Sequence, residues 1–339
     1  MVEGNGSVMM HRAEFHGILL SHIPKDIGLH KLKRLVSYSD PADDGALVRL
    51  FFADGTQATC DVLVGADGIR SAVRATMLNE LAESTEDKAH AERLRDRVLP
   101  RYSGVVTHRI VLPREKFSQL SPDSTVWTMG KLYLGDGVFI VTYPVSQGRL
   151  LNVAVTTVNY DLEWTLHPHP WVSYLKAEEL LPLFEGWAQE ARGVIAGLEG
   201  AGLKKWVINV VNPLDEWSAG RVTLLGDAAH GMVPFQGAGA GQAIEDVHIL
   251  STLLSHPRTT RQTVQHALRA YSDVRVPIAA KFFAASRKNG LLITNTKTPL
   301  SDCAAELREL ADSAWCSSHP EVESRRAVEE FEAALVGVV

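Results

Sequence analysis

The sequence predicts an α/β fold interrupted by an antiparallel sheet and followed by helices. Three observations carry that expectation. Residues 221–254, RVTLLGDAAHGMVPFQGAGAGQAIEDVHILSTLL, read as strand, glycine-rich loop and helix. Residues 102–157 hold four β-rich runs separated by turn residues, and residues 260–289 carry a long helical pattern.

The first stretch has a local reason for each part. Val222 to Leu225 combines the β-branched and leucine residues that suit a buried parallel strand, and the chain turns at Gly226-Asp227. Gly231, Pro234, Gly237, Gly239 and Gly241 crowd the next loop. From about Ala240, the apolar Ala243, Ile244, Val247, Leu250 and Leu254 recur at helical spacing. Such a layout presents backbone N–H groups and a positive helix end to something negative. Gly237-Ala-Gly239-Ala-Gly241 lacks the G-x-G-x-x-G spacing of a Rossmann turn. Its glycines suit a flat ring lying against backbone instead.

Composition excludes several classes. The 339 residues are 45% apolar and 22% charged, enough for two packed units. A net charge of -6 argues against nucleic-acid or anionic-membrane partners, and no apolar run reaches the roughly 18 residues of a membrane span. Glu3, His11, Arg12 and Glu14 break up the amino terminus, which therefore does not read as a signal peptide. Cys60, Cys303 and Cys316 have no metal spacing, so the expectation is a reducing, cytoplasmic compartment and no metal site.

Taken in order, residues 9–24 read as a helix with Phe15, Ile18, Leu19 and Ile23 on one face. Leu47 to Phe52, Asp54-Gly55 and Ala58 to Val64 form a hairpin signal. Residues 79–97 read as a solvated helix or connector. Strands are expected over Tyr102 to Leu112, Thr125 to Leu134, Val138 to Tyr143 and Leu150 to Thr157, as one antiparallel sheet. If the first is regular, His108 and Arg109 point to opposite faces. His167-Pro-His169-Pro reads as a turn, because a metal would need a third ligand. Helical spacing is expected from Trp171 to Ala191 and a strand over Val207 to Val211. A last helix pair follows Cys303, with Trp315 as a core anchor.

With those residues in view, GDAAH, Pro234 and QGAGAGQAIED resemble the second flavin motif of FAD-dependent aromatic hydroxylases, nearest the salicylate hydroxylase-like branch. The resemblance runs from Arg12 to about Trp315. It implies a Rossmann-like FAD-binding domain in two parts, residues 1–97 and 205–290, around a β-sheet substrate domain at 98–204, with carboxy-terminal helices at 291–339. By the same resemblance Asp227 binds the ribityl chain of FAD, and the loop of Gly226, Pro234, Gly237, Gly239 and Ala240 faces the ring. The segment HRAEF resembles the one whose arginine, here Arg12, reaches the FAD phosphates or ribityl chain; read alone, Arg12 is an exposed residue near a helix start. The run Asp61 to Arg74 resembles the family's DG motif, near the pyrophosphates of FAD and NAD(P)H. There Asp67 and Gly68 fix the loop, and Arg70 and Arg74 supply positive field. Glu245 and Asp246 lie past the first turn of the following helix and would weaken its field slightly.

Arg109 and Tyr143 occupy segments similar to the family's substrate sheet, where they would hold a phenolate or carboxylate. Read alone, they are a surface arginine and a core tyrosine. The activity implied is hydroxylation of a phenolic or aromatic acid with NADH or NADPH and O2, through a flavin hydroperoxide. Two departures stand out. Phe235 replaces a histidine common in this branch, which makes salicylate itself doubtful as substrate. The family's G-x-G-x-x-G unit would precede the arginine of HRAEF, and this sequence has only residues 1–11 before Arg12. The alternative expectation is therefore an FAD-free remnant, or a binding protein that uses the sheet pocket, with strand 62–64 short of a neighbour.

Overall fold

The computed structural model describes residues 12–41, 46–295, 298–316 and 319–336. Helix α1 (Arg12–Ser21) leads into a three-stranded antiparallel sheet of β1 (Leu35–Ser39), β2 (Val48–Phe52) and β3 (Gln57–Cys60). Gly55 adopts φ 80° in the β2–β3 turn, which its lack of a Cβ allows. The run expected to continue to Val64 breaks instead: β4 (Leu63–Gly65) leaves the hairpin for another sheet. Helices α2 (Ala72–Ser84) and α3 (Lys88–Asp96) resolve the charged connector into two, with Asp87 capping α3 through the Ala89 and His90 amides.

The inserted sheet contains β5 (Arg101–Pro113), β6 (Lys131–Gly135), β7 (Val138–Val145), β8 (Leu150–Val158), β9 (Val172–Lys176) and, after helix α4 (Gln189–Ala196), β10 (Gly202–Val210). Its order is β6-β7-β8-β5-β10-β9, antiparallel throughout. Strand β10 thus continues the sheet past residue 204. Two expectations are corrected. Residues 125–127 form a 3-10 turn rather than a strand, because Ser124 caps the Val126 amide and the Trp127 indole donates to the Ser121 carbonyl. α-Helix in the 171–191 stretch begins only at Gln189, after short 3-10 turns at Ala177–Glu179 and Leu181–Phe184: β9 finds a hydrogen-bonding edge on β10, and Gly186, at φ 77°, separates the second turn from α4.

The chain then returns through β11 (Ser218–Ala219), β12 (Val222–Leu224), α5 (Asp227–His230), α6 (Gly239–Leu254), α7 (Val264–Thr294), α8 (Leu300–Cys316) and α9 (Pro320–Ala334). Strand β12 pairs in parallel with β4, and β4 is the edge of the β11-β12-β4 sheet among the described residues. Pro277 lies inside α7 without ending it. Trp315 has its side chain outside the described residues.

Two cores result. One joins β4, β12, α2, α6, α7 and α9 through Val73, Met77, Leu224, Ile249, Tyr271 and Phe331. The other fills the space between the inserted sheet and α4 with Ile140, Val153, Val155, Val194 and Leu203. Among the described residues no helix is long and apolar enough to cross a membrane, and no group of three His, Cys, Asp or Glu side chains is placed to hold a metal ion.

Candidate active site

The parallel pairing of β4 with β12 sets two turns side by side. Gly65 accepts from the Leu225 amide at 3.0 Å, so the Asp67 corner and the Gly226-Asp227 turn leave the same end of the sheet. Asp67 uses its carboxylate locally, accepting from the Ala72 and Val73 amides at 2.7 and 3.3 Å and holding the start of α2. Gly68 follows at φ 78°. Arg74 has a structural role as well. It is fully buried and donates to the carbonyls of Ala228, Ile69 and Val98, so it ties the two turns together. Arg70 is exposed, lies 4.3 Å over the Trp171 ring and donates to His169 Nδ1 at 3.1 Å. The His-Pro-His-Pro segment is thereby brought to the Asp67 corner, where a groove of about 810 Å³ is lined by Lys33, Arg34, Arg70, His167, His169 and Trp171.

At the second turn Gly226 takes φ 61° and ψ −140°, a conformation that a side chain would strain. Asp227 opens α5 with its side chain exposed and with no hydrogen bond to the described residues. Pro234 is exposed, and its carbonyl closes a turn with the Gly237 amide. Helix α6 starts at Gly239 with no side-chain cap, leaving the first amides, Ala240 included, to an outside acceptor. A Cβ built at Gly237 or Gly239 meets nothing within 4 Å. The backbone there is open, as a flat ring requires. Arg12 begins α1, but its side chain lies outside the described residues.

The residue that sequence reasoning misjudged is Asp246. It is fully buried and accepts from the Gly226 amide at 3.0 Å, His230 Nε2 at 2.6 Å and Arg275 Nε at 2.8 Å. Arg275, equally buried, also reaches Gln242, Glu245 and Glu323. Burial pushes the Asp246 carboxyl upward, yet His230 and Arg275 outweigh it and hold it below the usual carboxylate range. Rather than weakening a helix field, Asp246 fixes the glycine turn. The available signal was the buried side of α6: Asp246 falls in register with Ile249, Leu250 and Leu253.

Arg109 and Tyr143 meet. Arg109 donates to the Tyr143 hydroxyl at 3.1 Å and to Asn152 Oδ1 at 3.4 Å. Register places Tyr143, Asn152 and Val111 in one row across β7, β8 and β5, with Val141, Ala154 and Arg109 in the next and Phe139, Thr156 and Thr107 beyond. All face one side of the sheet. His108 points to the opposite side and is buried, which lowers its imidazole pKa. The glycine loop reaches this face through Phe235, whose ring lies 5.7 Å from that of Phe139, whereas Arg109 and Tyr143 hydrogen-bond within the sheet. Asn289 donates to the Phe235 carbonyl and Ser286 to that of Val233, so α7 holds the loop from behind. Gly290 is required by that packing: an added Cβ would lie 2.3 Å from the Phe235 ring. Gly290→Ala is expected to displace the ring and lower stability by about 1–3 kcal/mol, read in a urea titration; a variant of wild-type midpoint would contradict it.

Comparison with known proteins agrees with this geometry. Residues 188–286 match the model of the FAD binding domain. FAD-dependent monooxygenase str9 of Strobilurus tenacellus is 34% identical over 98% of this chain and 77% of its own length. 6-Methylsalicylate 1-monooxygenase atA of Aspergillus terreus is 36% identical over 83% of this chain, and salicylate hydroxylase of Pseudomonas putida is 33% identical over 83%. The chain spans only 58% and 61% of the length of those two. A solved salicylate hydroxylase substrate complex superposes with a TM-score of 0.79 at 30% identity, over 94% of this chain and 75% of that one. The chain therefore belongs to the FAD-dependent monooxygenases of the salicylate hydroxylase type.

Proposed function

We propose that this chain is an FAD-dependent monooxygenase that hydroxylates a phenolic or aromatic-acid substrate with NADH or NADPH and O2, in a cytoplasmic setting. The observation that carries the reading is the closure of Phe235 onto Phe139, which sets the glycine loop against the sheet face bearing Arg109 and Tyr143. On this reading residues 1–97 and the chain from the end of β10 to residue 290 serve the cofactor, and the sheet, β10 included, serves the substrate. The relatives are monooxygenases, which favours it over a cofactor-free binding protein.

The residues present fit FAD. Asp227 is a free carboxylate suited to accept from polyol hydroxyls, Gly237 and Gly239 leave backbone open to a ring, and the uncapped amides of α6 favour negative charge beside it. When bound, FAD supplies the redox chemistry with NAD(P)H and O2. Asp67, Gly68, Gly226, Pro234 and Ala240 shape the backbone of that cradle, and Arg12 is assigned to it by family resemblance. Arg109 and Tyr143 hold the substrate oxygen as an anion, which raises electron density at the ring carbon to be hydroxylated.

The test measures FAD content and phenol-stimulated NAD(P)H oxidation of the purified chain. Arg109→Ala is expected to keep its FAD and lose at least tenfold in kcat/KM for the phenol, the effect of one charge-assisted hydrogen bond. A colourless protein that still binds a phenol would overturn the oxygenase reading.

A further inference from the structure

The sheet face that carries Arg109 continues past it onto β10 and β9. Register sets Lys204 directly opposite Arg109 and Tyr174 directly opposite Lys204, so the three side chains form one row on that face. Trp206 follows two residues along β10 on the same side, whereas Lys205 and His108 pair on the other side. Trp206 is 38% exposed and Tyr174 77%. Beside Trp206 the floor is shut: Thr107 and Thr156 are buried and spend their hydroxyls on each other at 3.0 Å. The open part of the face is a rim that runs from Tyr174 through Lys204 to the exposed Arg109.

The charges on this rim ask for an anion. Arg109 and Lys204 are like charges at directly opposed positions, an arrangement that repels. Neither has a carboxylate partner among the described residues. No Asp or Glu lies in the Arg109 row or the Trp206 row across the sheet, although the chain as a whole carries a net charge of -6. Lys204 instead holds its Nζ 4.6 Å over the Trp206 ring. An exposed indole beside an unpaired ammonium suits a flat ring that bears a negative group: the indole takes the ring and the ammonium takes the charge.

We infer that Lys204 and Trp206 form an outer subsite for an aromatic carboxylate, one strand spacing of about 4.8 Å from Arg109, where the acid is captured before it moves inward. The inference rests on the reading above that Arg109 holds the substrate, and adds to it a second station and an order of events. Lys204 and Trp206 touch the arriving ring and not the reacting atoms. An acid at Lys204 has the Arg109 guanidinium as its neighbour, so the transfer exchanges one charge-assisted contact for another and then adds the Tyr143 hydroxyl. A neutral phenol gains no charge-assisted contact from Lys204.

The test follows binding to the FAD-loaded chain without turnover, by stopped-flow absorbance of the flavin, with salicylate as the aromatic carboxylate and phenol as the neutral ring. Lys204→Gln is expected to slow salicylate association about threefold at low salt, the effect of one unit charge at about 6 Å in water. In 1 M salt, where the screening length is about 3 Å, the difference is expected to vanish. Phenol is expected to keep its wild-type association rate. Arg109→Ala removes the inner anchor, and saturation-transfer NMR is expected still to detect salicylate on it. Trp206→Ala added to that variant is expected to reduce the signal about threefold, the effect of one aromatic contact. A wild-type salicylate rate in Lys204→Gln, an equal slowing of phenol, no salicylate signal in Arg109→Ala, or an undiminished signal after Trp206→Ala overturns the inference. FAD-loaded chain that binds no salicylate overturns it as well. Wild-type salicylate affinity in Arg109→Ala, or a chain that takes up no FAD, overturns the reading beneath it instead.

Discussion

Arg275→Ala is expected to cost about 3–5 kcal/mol of folding stability, a large part of the roughly 5–15 kcal/mol that holds a domain together. The guanidinium is fully buried and is shared among Asp246, Gln242, Glu245 and Glu323. Its removal leaves the buried Asp246 carboxylate with only His230 and the Gly226 amide as partners, and Oδ1 without its guanidinium. A fall of roughly 10 °C in Tm should be seen, and an unchanged melting curve would contradict the role given to the network. The same carboxylate sets an acid limit. Because its folded-state pKa lies below the usual range, its stabilising effect is complete above about pH 4 and is lost as pH falls through the folded value. Asp246→Asn should flatten the stability profile in that acid window.

Asp227→Ala is the converse case: little change in stability and a large change in cofactor retention. The side chain is exposed and makes no hydrogen bond to the described residues, so its loss should alter stability by no more than about 0.5 kcal/mol. A carboxylate accepting from a hydroxyl contributes about 1.5–3 kcal/mol, which corresponds to a Kd for FAD raised roughly 10–150-fold. Fluorescence titration of the apoprotein with FAD reads it directly. Wild-type affinity would remove Asp227 from the site.

Legibility varied with the range of the interaction. The glycine turn at 226–227, the start of α6 and the turn at Asp67-Gly68 were readable because each is settled within about six residues. The strand misread at 125–127 and the helix misread at 171–188 fell where local spacing was ambiguous and a capping serine or a sheet edge decided the outcome. The Arg109–Tyr143 pair was reached through family resemblance; in the structure it depends on β8 lying between β5 and β7.

By itself the sequence determined the order of strand, glycine loop and helix, the antiparallel insertion and the helix start that follows the Gly226-Asp227 turn. Only the tertiary structure decided that Arg74 is a buried strut, that Asp246 holds the Gly226 amide, and that Asn152 faces the same side as Arg109. The physical reason is that backbone conformation and helical spacing act between near neighbours. The partner of a buried charge or amide is chosen by topology, here across spans from 20 residues, between Gly226 and Asp246, to 154, between Arg74 and Ala228.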